Sequence, residues 1–149
     1  MMYTLIYCSD VVKYMGDIAD LDISSLLYAA RKNNAVHKIT GILIYSNGHF
    51  LHVIEGEEES VRKAFEIVNR DRRHENLKIL LEKEIDERRF PGWSLGFKYI
   101  PEKELDKYPQ LVPILKNGGS ASEAPDFSDE TYDYIAGLSS EAECCDAFF

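Results

Sequence analysis

Residues 39–56, ITGILIYSNGHFLHVIEG, constrain the fold more than any other stretch, because two apolar, β-branched runs flank Asn47-Gly48. That dipeptide best supports two consecutive residues at positive φ, so a β-hairpin with a tight turn is expected. Strand alternation then puts Phe50, His52 and Ile54 on one face and Leu51, Val53 and Glu55 on the other. An imidazole between Phe50 and Ile54 is aimed at whatever that face covers. A histidine in this setting is ordinarily half exposed or bonded to a backbone carbonyl. The hairpin alone therefore leaves His52 either a structural or a ligand-facing role.

The flanking elements follow from the same kind of periodicity. Tyr3 to Ser9 alternates and reads as an opening strand, and Val11 to Leu21 as an irregular connection. Asp22 is expected to cap a helix with Ile23, Leu26, Leu27 and Ala30 on one stripe, ending near Asn33-Asn34. After the hairpin, Glu57-Glu58-Glu59 suit the positive end of a second helix, in which Val61, Ala64, Phe65 and Val68 keep helical spacing as far as Asp71. Leu77 to Ile85 and Trp93 to Tyr99 read as strands on either side of Pro91-Gly92. The order β-α-β-β-α-β plus one strand predicts an α+β, ferredoxin-like fold: an antiparallel sheet with two helices on one face.

Charge divides the chain. Eight of its nine net negative charges arise after Lys116, where there is no Lys or Arg, so the body is nearly neutral. Residues 1–100 are expected to form the domain, 101–117 a connecting or helical extension, and 118–149 an acidic, partly flexible tail. Gly118-Gly119-Ser120-Ala121-Ser122 resembles a joint. Beyond it, Tyr134, Ile135 and Leu138 suffice for a short amphipathic helix starting near Ser128. Such acidic-aromatic mixtures are usually weakly ordered, and docking on the domain or on a partner is the alternative.

These features also exclude functions. The acidic surplus argues against nucleic acid, whose phosphates demand clustered cations. No apolar run approaches the ~20 residues of a membrane span, and Cys8, Cys144 and Cys145 form no disulfide framework. With no signal-peptide pattern at Met1, a cytoplasmic protein is expected. Enzyme signatures are missing too. His37, His49, His52 and His74 lack metal-ligand spacing, no nucleotide-binding glycine string occurs, and Cys8 reads as a small buried hydrophobe. Asp71-Arg72-Arg73-His74 could bind phosphate or simply complement a helix terminus.

Taken in order, the motifs do match a family. YCS at Tyr7 to Ser9, NNA followed by ITGILIY, GHFLHVIEG, DRRH at Asp71 to His74 and RRFPGWSLGF at Arg88 to Phe97 resemble the BLUF family. These are blue-light receptors that bind FAD in a ferredoxin-like domain between the two helices. The resemblance spans roughly residues 2 to 100, apart from a slightly long connection after the first strand.

It implies specific roles. Tyr7 takes the place of the tyrosine that donates an electron and a proton to excited flavin. Asn34 matches the asparagine bonded to the flavin's polar edge, with Asn33 beside it, and Ser9 belongs to the same cofactor-binding set. Asp71, Arg73 and His74 match the region near the ribityl and phosphate end, while Ile39, Leu43 and Phe50 would wall the ring. Trp93 and Leu95 fall where the family's photochemically coupled residues lie near the last strand.

Two residues depart from the pattern. Leu95 replaces a methionine, a nearly volume-conserving change. His52 stands where the family carries a glutamine between tyrosine and flavin, whose amide is thought to rotate or tautomerise after electron transfer. Imidazole cannot make that rearrangement. The resemblance thus implies a FAD-binding blue-light sensor, not an enzyme, that signals through a protein partner or a homo-oligomer, with flavin binding retained and the light response altered at His52. The competing readings are a light-insensitive, degenerate BLUF-like interaction module and a small enzyme such as an acylphosphatase. The chain lacks the arginine loop that the latter would carry after the first strand.

Overall fold

The computed structural model describes residues 1–12, 23–116 and 127–141, with side chains of 23–25, 140 and 141 left aside. The 13–21 connection, the Asp22 cap, the 118–122 joint, Cys144 and Cys145 lie outside the described residues.

Five strands and two main helices alternate as β1 (Met2–Val11), α1 (Ile23–Val36), β2 (Thr40–Ser46), β3 (His49–Glu57), α2 (Glu58–Arg70), β4 (His74–Glu84) and β5 (Gly96–Tyr99). The sheet order is β4-β1-β3-β2-β5. The first four strands pair antiparallel, as the ferredoxin-like pattern requires, whereas β5 adds to β2 in parallel, making the sheet mixed.

At the hairpin, Ser46 pairs with His49 around a two-residue loop, and Asn47 and Gly48 take φ values of 55° and 79°. Both are positive, the geometry that matches the twist of the flanking strands. A second glycine is fixed by contact. A Cβ on Gly41 would lie 1.8 Å from the Val53 carbonyl oxygen. Gly41→Ala is therefore expected to cost about 3 kcal/mol or more, read from the midpoint of urea unfolding. An unchanged midpoint would mean that β2 and β3 are free to separate there.

Helix α1 runs past Asn33 and Asn34 to Val36. It ends when Lys38 turns left-handed (φ 57°), with the Ile39 N–H donating to the Asn34 carbonyl (2.8 Å) and the Lys38 N–H to that of Ala35 (3.3 Å). This is a Schellman closure. It keeps both asparagines on the helix's last turn, so their side chains are displayed from a rigid element. Strand β4 starts at His74 and not at Leu77, because β1 continues to Val11, which pairs with His74. The β1–β4 ladder is broken between Ile6 and Tyr7 and between Cys8 and Asp10, irregularities of the kind that re-aim side chains.

Alternation splits the core in two. Toward α1 and α2 point Leu5, Tyr7, Leu43, Tyr45, Phe50 and Ile54; away from them point Ile6, Cys8, Ile42, Ile44, Leu51 and Val53. The second face is covered by the chain after Pro101. A 3₁₀ turn (Glu102–Lys107), α3 (Val112–Leu115), α4 (Asp129–Gly137) and a last 3₁₀ turn (Leu138–Glu141) bring Leu105, Leu111, Ile114, Leu115, Tyr132, Ile135 and Leu138 onto it.

Ser128 caps α4 by accepting from the Thr131 N–H, and Asp129 and Glu130 complement the helix dipole. Its buried stripe is Tyr132, Ile135 and Leu138, while Tyr134 stays at the margin. No helix among the described residues is long and apolar enough to cross a membrane.

Candidate flavin site

Between the sheet and the two helices lies a cavity of about 580 Å³, within the ~300–1,000 Å³ typical of small-molecule sites. The sheet supplies its floor, with Tyr7 from β1, Leu43 from β2, and Phe50, His52 and Ile54 from β3. Helix α1 supplies Leu26, Ala29, Ala30, Asn33 and Asn34, and α2 supplies Ala64, Ile67 and Val68. Ile39, Asp71, Arg73, His74 and Leu95 complete the wall.

The centre is a pair of neighbours on adjacent strands. Tyr7 and His52 are register partners, and the Tyr7 hydroxyl lies 2.9 Å from His52 Nδ1. Both are buried. The His52 ring sits edge-on to Tyr7 at 5.3 Å between centroids, and Phe65 and His74 approach the phenol in the same manner at 5.9 and 6.1 Å. Burial drives the Tyr7 phenol far above its ordinary range, and the nearby Asp71 charge adds to this. The same burial, reinforced by His74, lowers His52 from 6.5 to about 3. At neutral pH the pair is therefore a neutral phenol and a neutral imidazole.

When Tyr7 O–H donates to Nδ1, the ring proton sits on Nε2, which has no hydrogen bond among the described residues and belongs to a ring that lines the cavity.

At one end, Asn34 donates from Nδ2 to the Ser94 carbonyl (2.7 Å), leaving its own carbonyl and a second N–H for a ligand. At the other, His74 Nε2 lies 2.6 Å from the Val68 carbonyl and Nδ1 2.7 Å from Ser9 Oγ. A carbonyl only accepts, so His74 Nε2 carries a proton and donates to it, while Ser9 Oγ holds the ring at Nδ1. Arg73 grips Asp71 through Nε (2.9 Å) and its backbone N–H (2.9 Å). This contact holds the Asp71 carboxyl below the usual carboxylate range.

Nearly all the residues singled out from sequence converge here, namely Tyr7, Asn33, Asn34, Ile39, Leu43, Phe50, His52, Asp71, Arg73, His74 and Leu95. Two do not line the cavity. Ser9 is buried behind His74 and positions that ring. Trp93 packs against the core on the opposite face, with its indole against Gly96. Trp93 belongs to a turn closed by its N–H on the Phe90 carbonyl (3.1 Å), and β5 begins only at Gly96. Strand alternation counted from Trp93 therefore has no basis.

Sequence reasoning missed the helix-borne lining, Leu26, Ala29, Ala30, Ala64, Ile67 and Val68, and Ile54 on β3. Ile54 was legible from its alternation with His52. The alanines carried a weaker signal, small side chains on apolar stripes where a ligand rather than a neighbouring helix approaches.

The lining of the cavity suits a flavin. Its long walls are apolar, as a planar aromatic ring requires. Hydrogen-bonding groups gather at Tyr7–His52 and Asn34, and the cationic Arg73 stands at the Asp71 end. Asn34 and His52 would hold the ring's polar edge, and Arg73 and His74 the phosphate end.

A family model described as BLUF, sensors of blue-light using FAD, matches residues 2–96. The chain belongs to the BLUF family, whose cofactor is FAD and whose domain is a sensor module.

Among its relatives, the photoactivated adenylate cyclase subunit beta of Euglena longa is 31% identical over 113 residues, covering 75% of this chain and 13% of that protein. The blue light- and temperature-regulated antirepressor BluF of Escherichia coli K12 is 33% identical over 112 residues, covering 75% of this chain and 27% of that protein. The chain thus spans about an eighth to a quarter of the length of these relatives. Among solved structures, BlsA in its photo-activated state superposes with a TM-score of 0.74 at 26% identity, over 97% of this chain and 98% of that one. BlrB, a BLUF protein in its dark state, gives 0.71 at 26% identity, over 94% and 96%.

Proposed function

We propose that this chain senses blue light through Tyr7 and His52, with His52 acting as the proton acceptor for the phenol. The observation that carries this reading is the 2.9 Å contact between the Tyr7 hydroxyl and His52 Nδ1, both buried on the cavity floor. When bound, FAD would supply the blue absorption and, once excited, a one-electron oxidant for the Tyr7 phenol, the reduced cofactor being the source of the electron that later returns. An oxidised phenol is a strong acid, and Nδ1 of His52 is within hydrogen-bond reach to take its proton. The imidazolium so formed bears a proton on each nitrogen and is buried beside His74, so it is unstable and returns the proton when Tyr7 is reduced. Asn34 and Asn33 orient the polar edge of the cofactor, and the apolar walls exclude water.

Because imidazole keeps one donor and one acceptor at fixed ring positions, the light-induced spectral shift is weaker than, or different from, that of a glutamine relay. Output passes by protein–protein contacts, within a homo-oligomer or to a separate partner, and the residues after Pro101 form the relay.

The test is an absorption spectrum of protein purified in the dark, repeated under blue light, together with time-resolved decay of the excited flavin. Tyr7→Phe is expected to keep the bound flavin and to lengthen its excited-state lifetime severalfold. An unchanged lifetime in Tyr7→Phe would remove Tyr7 from its role. A protein that neither carries nor takes up FAD would overturn the sensor reading as a whole.

A further inference from the structure

Glu55 is a fully buried carboxylate on the sheet face away from the flavin cavity. Its Oε1 accepts from Thr40 Oγ1 (3.0 Å) and the Phe90 N–H (3.0 Å), and its Oε2 from the Arg89 N–H (2.8 Å) and the Tyr132 hydroxyl (2.5 Å). Three parts of the chain thus meet on one charge: the β2–β3 ladder, the 88–95 segment and helix α4. Arg89 also lies over the Tyr132 ring, 4.8 Å from its centroid, and contacts Asp133 at 3.1 Å.

The 88–95 segment reaches the cavity side as well. The Ser94 carbonyl holds the Asn34 amide, and the Leu95 carbonyl accepts from buried Arg31 Nε (2.7 Å). Leu95 itself lines the cavity, whereas no residue of α4 does.

We propose that Glu55 is a positioning residue that couples the contents of the flavin cavity to the docking of α4. Its path runs from Asn34 and Leu95 through the backbone of residues 89 and 90. A shift of the Arg89 and Phe90 N–H groups leaves a buried carboxylate short of donors, which is costly. The donor on the most separable element is Tyr132. Helix α4 has nine residues, below the ~12–15 at which an isolated helix holds together in water, so undocking and unwinding are one event. Linkage makes the effect reciprocal, with FAD in its cavity tightening α4 and α4 in place tightening FAD. This inference rests on the cavity as the FAD site, and not on the proton role given to His52.

Hydrogen exchange of the amides of residues 129–137, with the full chain in the dark with and without FAD, tests the coupling and needs no variant. FAD is expected to slow that exchange on the order of 5- to 150-fold. Tyr132→Phe should retain the flavin absorption band, lose most of the FAD-dependent protection of α4 and bind FAD more weakly. Glu55→Gln, whose amide cannot accept from all four donors, should lose the FAD-dependent protection of α4 as Tyr132→Phe does. Equal exchange of α4 with and without FAD in the unaltered chain overturns the coupling while leaving the flavin site intact, and so does full FAD-dependent protection in Tyr132→Phe. Failure to bind FAD at all overturns the cavity assignment and this inference with it.

Discussion

His52→Gln, purified in the dark with FAD and illuminated with blue light, is expected to gain a full and reversible shift of its flavin absorption, where the unaltered chain shows a weak or different one. The reason lies in the geometry of the two side chains. A glutamine amide exchanges its donor and acceptor positions by rotating half a turn or by tautomerising. Neutral imidazole carries one donor and one acceptor on a rigid ring, and interchanging them requires moving a proton from one nitrogen to the other. In this protein Nδ1 faces the Tyr7 hydroxyl at 2.9 Å, so that motion is bound to the proton of Tyr7 itself. Tyr7→Phe added to His52→Gln should abolish the recovered shift. If His52→Gln leaves the spectrum as it was while Tyr7 is intact, position 52 is not the relay.

The second large effect is on acid stability. The His52 ring is held neutral, down from 6.5 to about 3, by burial and by the proximity of His74. Between those two pH values the unfolded chain binds a proton at this position and the folded chain does not. Stability contributed by His52 is therefore complete above about pH 6.5 and falls as pH is lowered toward 3, by roughly 1.4 kcal/mol per pH unit within that window. The full loss reaches about 4–5 kcal/mol, a large part of a typical domain stability. Urea titrations of the FAD-bound protein between pH 7 and pH 4 measure the slope. In His52→Gln, which has nothing to protonate at this position, the slope should be much shallower. Matching slopes in the two proteins would show that position 52 does not govern acid unfolding.

How much of this was legible in the sequence depends on the range of the interaction. The hairpin was, because Asn47-Gly48 and strict alternation are local, and they sent His52 and Glu55 to opposite faces as the sheet does. The end of α1 was not, because a lysine at φ 57° closes the helix, and nothing in a lysine announces a left-handed cap. Trp93 was misplaced for a related reason, since a turn that holds it apart from β5 cannot be told from strand by composition. The chain after Pro101 showed its aromatics, yet the residue that matters there, Tyr132, is distinguished only by the carboxylate it meets.

By itself, then, the sequence determined the order of strands and helices, the turn and the face on which His52 lies. These follow from the period-2 and period-3.6 placement of apolar side chains and from two residues able to take positive φ. Only the tertiary structure decided that Tyr7 meets His52 across 45 residues, that Ser9 holds His74 across 65, and that Glu55 gathers Phe90 and Tyr132 from 35 and 77 residues away. Such contacts depend on strand register, in which a slip of one residue turns every side chain to the other face. Register is a property of the assembled sheet, so the site existed in the sequence as residue types and became a site only when β1, β3 and β4 were paired.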